Sequence, residues 1–208
     1  AGERDYAMNL AVLQELQPGA TQIEYWQTGW LSPLVQQRNF GFNPQEARQY
    51  FAYDNVRDGI LGLTESLFQV DIRPWDTALW HEDVEAYEVY SPTGELVSQF
   101  YLDSHPRPGK YTHANMIPLF PGEVDGSAVP VGALVMNLPQ GDHSTGLMEH
   151  SQVTTFLHEF GHLIHGMFGS TTRWYGQNFL NIEWDFVEAP SQMLENWVYD
   201  YDTLATFA

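Results

Sequence analysis

Two histidines, His158 and His162, flank a glutamate in the run His158-Glu159-Phe160-Gly161-His162. On an α-helix the 3.6-residue period puts residues four apart on one face, so the two imidazoles can share one divalent cation. Glu159 is rotated off that face, which suits a base working on metal-bound water rather than a ligand. The pattern is that of metal-assisted amide hydrolysis. A catalytic zinc keeps three protein ligands and leaves one position open for water. The candidate for the third is Glu188, in Asp185-Phe186-Val187-Glu188-Ala189-Pro190-Ser191-Gln192-Met193-Leu194-Glu195-Asn196-Trp197. Gly161 inside the helix costs about 1 kcal/mol relative to Ala, a cost that close approach of another backbone would explain.

Other polar residues have two readings each. His165 lies near the face of His158 and either orients a ligand or packs as an ordinary histidine. Gln192 and Glu195 share a helix face with Glu188, so one of them is placed to accept the free N–H of a metal-bound imidazole. A solvated polar face is the alternative. His105, His113 and His150 are assigned to surface or core. With no cysteine in the chain, thiolate ligands and disulfides are excluded, and imidazole plus carboxylate also suits cobalt or manganese.

Several blocks around this motif resemble the thimet oligopeptidase family, the M3 metallopeptidases. They are His158 to His165 (H-E-F-G-H-L-I-H), the D-F-V-E-A-P-S-Q-M-L-E-N-W stretch, Trp80-His81-Glu82-Asp83-Val84, Phe100-Tyr101-Leu102-Asp103 and Pro106-Arg107-Pro108-Gly109-Lys110-Tyr111-Thr112-His113-Ala114. The resemblance is clear over residues 50–208 and looser before. It implies one zinc ion held by His158, His162 and Glu188, with Glu159 as general base and proton shuttle. It also implies hydrolysis of peptide bonds in short oligopeptides through a metal-bound water. Where many family members carry an acidic pair before the metal helix, this chain has Ser151 and Gln152. Residues 166–184 look about one residue longer than in some relatives. The family's downstream Gly/Tyr-rich block, which supplies oxyanion donors, has no counterpart before Ala208. The resemblance therefore implies a partial catalytic domain. Besides short peptides, its expected partner is the missing C-terminal part of that domain. The alternative function is a non-catalytic metal- or peptide-binding fragment that needs that part for activity.

Composition bounds these readings. In 208 residues there are 27 acidic against 8 basic side chains, a formal charge of −19. That balance opposes nucleic acid and anionic lipid, which demand basic contacts. It either draws cationic peptides to a cleft or simply solvates the surface. No apolar run approaches a membrane span, and the first residues lack the charged and apolar regions of a signal peptide. A cytoplasmic protein is the expectation, with a processed exported form as the alternative.

The elements that must position the site follow from periodicity. Helical spacing covers residues 2–16, 21–40, 44–51 and 55–68, with Trp26, Trp30, Leu31, Leu34 and Val35 expected on the buried face of the second. The stripe Val56, Ile60, Leu63 and Leu67 marks core. Period-two alternation over 82–90 and 95–102 around Ser91-Pro92-Thr93-Gly94 predicts a β-hairpin. Residues 129–138 predict a third strand, whose backbone near Gly132 and Ala133 is either a substrate-pairing edge or core. Residues 103–126 read as loop. Two helices follow, one with the histidine pair and one with Glu188; Pro190 is either the first residue of a helix starting near Ala189 or a kink. The fold class expected is α+β and zincin-like, mostly helical with a small, mainly antiparallel sheet. Its segments are a helical stretch (1–70), the sheet with loops (78–138) and the zinc-site helices (149–208).

Overall fold

The computed structural model describes residues 2–41, 44–174 and 181–208. The chain divides into two compact units, residues 1–47 and 48–208. In the first unit, helix α1 (Gly2–Leu16) and helix α2 (Thr28–Phe40) bury Val12 and Leu13 against Leu31 and Val35, with Leu10, Ala20 and Ile23 packed around them. A short helix, α3 (Pro44–Ala47), follows; the helix-start residue Asn43 lies outside the described residues. The second helix begins later than its pattern predicts. Residues 25–27 form a 3₁₀ turn in which the backbone N–H of Glu24 donates to the Gln27 side chain at 2.8 Å, so capping chemistry sets the start. Trp26, Trp30 and Leu34 are exposed, and only Leu31 and Val35 of the expected face are buried.

The second unit opens with a 3₁₀ turn at Arg48–Tyr50 and helix α4 (Tyr53–Phe68). The buried stripe of α4 is Tyr53, Val56, Ile60 and Thr64, and Leu67 faces outward. Five strands make one sheet: β1 (Asp71–Pro74), β2 (Glu85–Tyr90), β3 (Leu96–Asp103), β4 (Asn115–Phe120) and β6 (Val131–Val135), in the order β1-β2-β3-β6-β4. The remaining strands, β5 (Gly122–Glu123) and β7 (Thr171–Thr172), pair separately. Only the β3–β6 pairing in the larger sheet is parallel. The β2–β3 hairpin turns at the predicted residues. Strands β1 and β4 were not predicted, and β4 lies inside the stretch read as loop. Pro118 within β4 breaks the strand pattern, and proline is tolerated in a sheet at an edge.

Along β3 the side chains of Ser98, Phe100 and Leu102 are buried while Gln99 and Tyr101 are partly exposed, the alternation of a half-buried strand. That inner face meets helix α5 (His150–Gly169). Phe100 stands edge-on to Phe160, with ring centroids 5.8 Å apart. A Cβ on Gly132 of β6 would lie 2.8 Å from Leu163 Cδ1, so the helix seats closely across the sheet. Val153, Phe156, Leu157, Phe160, Leu163, Ile164 and Met167 form the buried face of α5. At its start the backbone N–H of Glu149 donates to the Gln152 side chain at 2.8 Å, so the residue that replaces a family acid closes a cap. Helix α5 takes in the first residues of the 166–184 stretch, up to Gly169; residues 175–180 lie outside the described residues. Helix α6 (Ala189–Glu195), a 3₁₀ turn at Asn196–Tyr199 and helix α7 (Tyr201–Phe207) complete the unit.

A buried ion pair fastens the loop between β3 and β4. Asp103, 3% exposed, accepts from Arg107 at 2.5 and 2.8 Å and from Trp80 Nε1 at 3.0 Å, and lies 2.9 Å from Lys110 Nζ. Lys110 also donates to the carbonyls of Asp103 and His105 at 2.7 and 2.6 Å. Burial pushes the Asp103 carboxyl upward, yet the hydrogen bonds from Arg107, Lys110 and Trp80 outweigh it and hold it below the usual carboxylate range. Burial leaves the Lys110 ammonium below the usual lysine range in spite of Asp103.

Because Asp103 is depressed in the folded state, its contribution is complete above the unfolded value of about 3.9 and is lost as pH falls below it. Urea unfolding at pH 5, 4 and 3 should show a falling midpoint. Asp103→Asn should flatten part of that fall and cost about 3 kcal/mol at pH 7 by leaving Lys110 uncompensated. Equal pH slopes in the two proteins would contradict this account.

Candidate metal centre

Helix α5 is apolar over most of its circumference, and its remaining strip carries His158, Glu159 and His162, all partly exposed. Helix α6 supplies what faces them. Glu188 is its N-cap residue, and Pro190 sits in the first turn, where a missing N–H costs no hydrogen bond. The open boundary at Pro190 thus resolves as a helix start at Ala189. Residues 183–189 close into turns through Phe186 N–H to Glu183 O at 3.0 Å and Ala189 N–H to Phe186 O at 2.9 Å. That curl turns Glu188 toward α5.

The Nε2 atoms of His158 and His162 lie 3.3 and 3.1 Å from the same oxygen, Oε2 of Glu188. The three ligand atoms all lie within 4.8 Å of one another, and among the described residues this is the group of His, Cys, Asp or Glu that could hold a metal ion. Bonds of about 2.0–2.1 Å to a tetrahedral zinc set neighbouring ligand atoms about 3.3 Å apart, and the two histidine–glutamate separations are close to that value. Nδ1 of His158 lies 2.5 Å from Glu195 Oε1. An ionised carboxylate only accepts, so Nδ1 is the donor in this contact, which leaves Nε2 as the nitrogen of His158 available to an ion. Of the two residues placed to accept from an imidazole, Glu195 does so, while Gln192 is exposed.

Gly161 has the neighbour its cost demands. A Cβ there would stand 2.6 Å from Ser191 Cα and 2.8 Å from the Pro190 carbonyl oxygen. The backbones of α5 and α6 therefore touch three residues after His158 and immediately before His162. Ser191, fully buried, donates its hydroxyl toward Glu188 Oε2 and Glu188 O, each at 2.9 Å.

Electrostatics separates the two glutamates. Burial pushes Glu159 above the ordinary carboxylate range, although His158 and the backbone N–H of Met116 pull it down. At Glu188 burial acts in the same upward direction, but the Ser191 hydroxyl and the two imidazoles prevail and hold it low. Burial lowers His162 against the pull of Glu188, which favours the neutral imidazole that a metal needs.

The other histidines stay apart from this group. His105 is in the core, its Nδ1 3.1 Å from the Leu138 carbonyl and its ring 4.5 Å from that of Tyr53. His150 packs between Phe51 and Tyr199, His113 beside Tyr111, and His165 edge-on to Phe186. One substrate hypothesis changes place. Strand β6, with Gly132 and Ala133, is flanked by β3 and β4 on both sides, so its backbone is already paired; β4, beside it, is one of the two edge strands of the sheet, β1 being the other. Sequence reasoning missed Met116 and Ser191. The first sits on a strand disguised by Pro118, and the second is a serine three residues from a glutamate, a spacing that becomes informative only once a helix start is placed between them.

Comparison with known proteins agrees with the motif-level resemblance. The model of Peptidase family M3 matches residues 1–208. An organellar oligopeptidase A of chloroplasts and mitochondria from Arabidopsis thaliana is 34% identical over 197 residues, 89% of this chain and 25% of the relative. A probable cytosolic oligopeptidase A from the same plant is 35% identical, over 91% of this chain and 28% of the relative. Oligopeptidase A of Haemophilus influenzae is 33% identical, over 90% and 28%. The chain thus spans about a quarter of the length of these curated relatives.

The contact at Gly161 yields a test of the helix pairing. Ala is the better helix former by about 1 kcal/mol, yet here its methyl would meet backbone rather than a movable side chain. Gly161→Ala should destabilise the protein by a net amount of about 1–3 kcal/mol, as overpacked sites do. A urea midpoint equal to or above that of the wild type would show that α6 yields freely.

Proposed function

The chain belongs to peptidase family M3, and on that premise we propose that it is the metal-binding part of a zinc-dependent peptidase acting on short oligopeptides. The reading is carried by one observation: His158 and His162 of one helix and Glu188 at the start of another bring three ligand atoms within 4.8 Å of one another, with Glu159 next to His158 in the chain. It is supported by the relatives, whose names are those of oligopeptidases. A finer reading of the fold, a zincin-like α+β domain, rests on the same histidine helix laid across a small sheet.

His158, His162 and Glu188 would hold the ion, which when bound supplies Lewis acidity toward a carbonyl and acidifies a water. The chain's own residues do the rest. Glu195 fixes the tautomer and ring orientation of His158. Glu159 takes a proton from the attacking water and returns it to the leaving amine, and its upward shift suits the return step. An extended peptide adding to a sheet edge would lie along β4, whose Met116 N–H reaches Glu159, rather than along β6. No helix among the described residues is long and apolar enough to cross a membrane.

Coverage of only a quarter of the relatives favours a second reading, a metal- or peptide-binding portion that turns over substrate only with the remainder of a family-length domain. Removal of an oxyanion donor alone typically costs about 10²–10³ in kcat. Metal analysis and cleavage of a quenched peptide, with and without the remaining part, separate the two readings. His162→Ala should abolish stoichiometric zinc. Glu159→Gln should keep the zinc and lower turnover by about 10²–10⁴, whether that turnover is intrinsic or complemented. Undiminished zinc in His162→Ala would refute the ligand assignment.

A further inference from the structure

Among the polar side chains of α6, Ser191 alone is fully removed from solvent; Gln192 is exposed and Glu195 partly so. Its hydroxyl is aimed at one target. Oγ lies 2.9 Å from Glu188 Oε2 and 2.9 Å from the Glu188 carbonyl, so a single hydrogen is shared between the carboxylate and the backbone of the same residue. That Oε2 is the oxygen facing both imidazoles. The Glu188 side chain is otherwise 48% exposed, and a long, half-solvated carboxylate loses rotamer freedom whenever it is fixed. Ser191 also sits where α6 touches α5, its Cα in the space that a Cβ on Gly161 would need. The tether therefore starts from the point of α6 held closest to the histidine helix.

We infer that Ser191 is a positioning residue for the metal centre: its buried hydroxyl presets the Glu188 carboxylate so that Oε2 faces His158 and His162 before an ion arrives. The inference rests on the proposed ligand set and adds a role for a side chain that touches neither ion nor substrate. It also accounts for a polar residue at a fully enclosed position, where a hydroxyl without a partner would be costly.

Zinc affinity measured by chelator competition tests it, in a double-mutant cycle with Glu188. Ser191→Ala should weaken zinc binding about tenfold, the lower end of what loss of a group orienting a ligand costs. In the Glu188→Ala background the same change should alter the weaker affinity by less than about twofold, because the carboxylate it acts on is gone. With cobalt as the probe, Ser191→Ala should also change the visible absorption of the bound ion, which a distant structural role would leave alone. Ser191→Thr, which keeps the hydroxyl, should retain affinity within about threefold. An equal loss in both backgrounds overturns the inference, as it would mean that α6 has simply shifted. Wild-type affinity in Ser191→Ala overturns it too. If His162→Ala binds zinc as the wild type does, the ligand set itself is wrong; if that variant loses zinc while Ser191→Ala does not, only the positioning role fails.

Discussion

The site depends on a place where two helix backbones touch. Gly161 on α5 and Ser191 on α6 approach so closely that no Cβ fits between them, and this contact sets the distance between the histidine strip and the carboxylates opposite. Glu188 stands three residues before the contact and Glu195 four after it, so the two carboxylates straddle it and reach Nε2 of both histidines and Nδ1 of His158, respectively. A wider separation would carry both carboxylates out of reach at once. Glycine at position 161 is thus less a matter of helix propensity than of interhelical distance, and the energy forgone in the helix is returned in the geometry of the pair.

Helix α5 can hold its half of the site because so much of it is fixed elsewhere. Phe156, Phe160 and Leu163 are completely buried, and Phe160 meets Phe100 of the sheet edge-on. Tyr53 of α4 lies parallel to Phe156 at 6.1 Å. Cores at this packing density resist small displacements, so the polar strip is carried on a support with little freedom to roll. The sheet also delivers a contact from the far side: β4 brings the Met116 N–H to Glu159, and the loop leading into β4 is secured by Asp103, Arg107 and Lys110.

Much of this was legible from residue types and spacing, and the exceptions have physical causes. The helical period alone put His158 and His162 together and turned Glu159 aside, and the anomaly of Gly161 foretold a close backbone neighbour. The β2–β3 hairpin was marked by alternation around Ser91-Pro92-Thr93-Gly94. Strand β4 was hidden because Pro118 interrupts a pattern that depends on paired N–H groups, and an edge strand is where such an interruption is harmless. The exposed Trp26 and Trp30 defeated the rule that aromatic residues mark the inner face; a 3₁₀ turn changes the phase before α2 begins. Which strands form the two edges of the sheet could not be read at all. Pairing partners are a property of topology, and the parallel β3–β6 pairing with β4 folded back on the outside leaves no local trace in any strand.

Three glutamates of the site illustrate how identical side chains acquire different work. Glu159 is half-enclosed beside α5, with its proton affinity raised by burial and checked by the Met116 N–H. Glu188 is open to solvent but carries a hydroxyl donor and two imidazoles on the same oxygen side, and its anionic form is favoured. Glu195 is engaged by the N–H of His158 at 2.5 Å, which turns it outward from any ion held by Nε2 of that ring. A group whose proton is held more tightly suits transfer, one held as an anion suits coordination, and one bonded to a ligand's far nitrogen suits orientation. The division follows from surroundings rather than from residue type: burial on α5 for the first, the Ser191 hydroxyl of α6 with the two imidazoles of α5 for the second, and the His158 ring of α5 for the third.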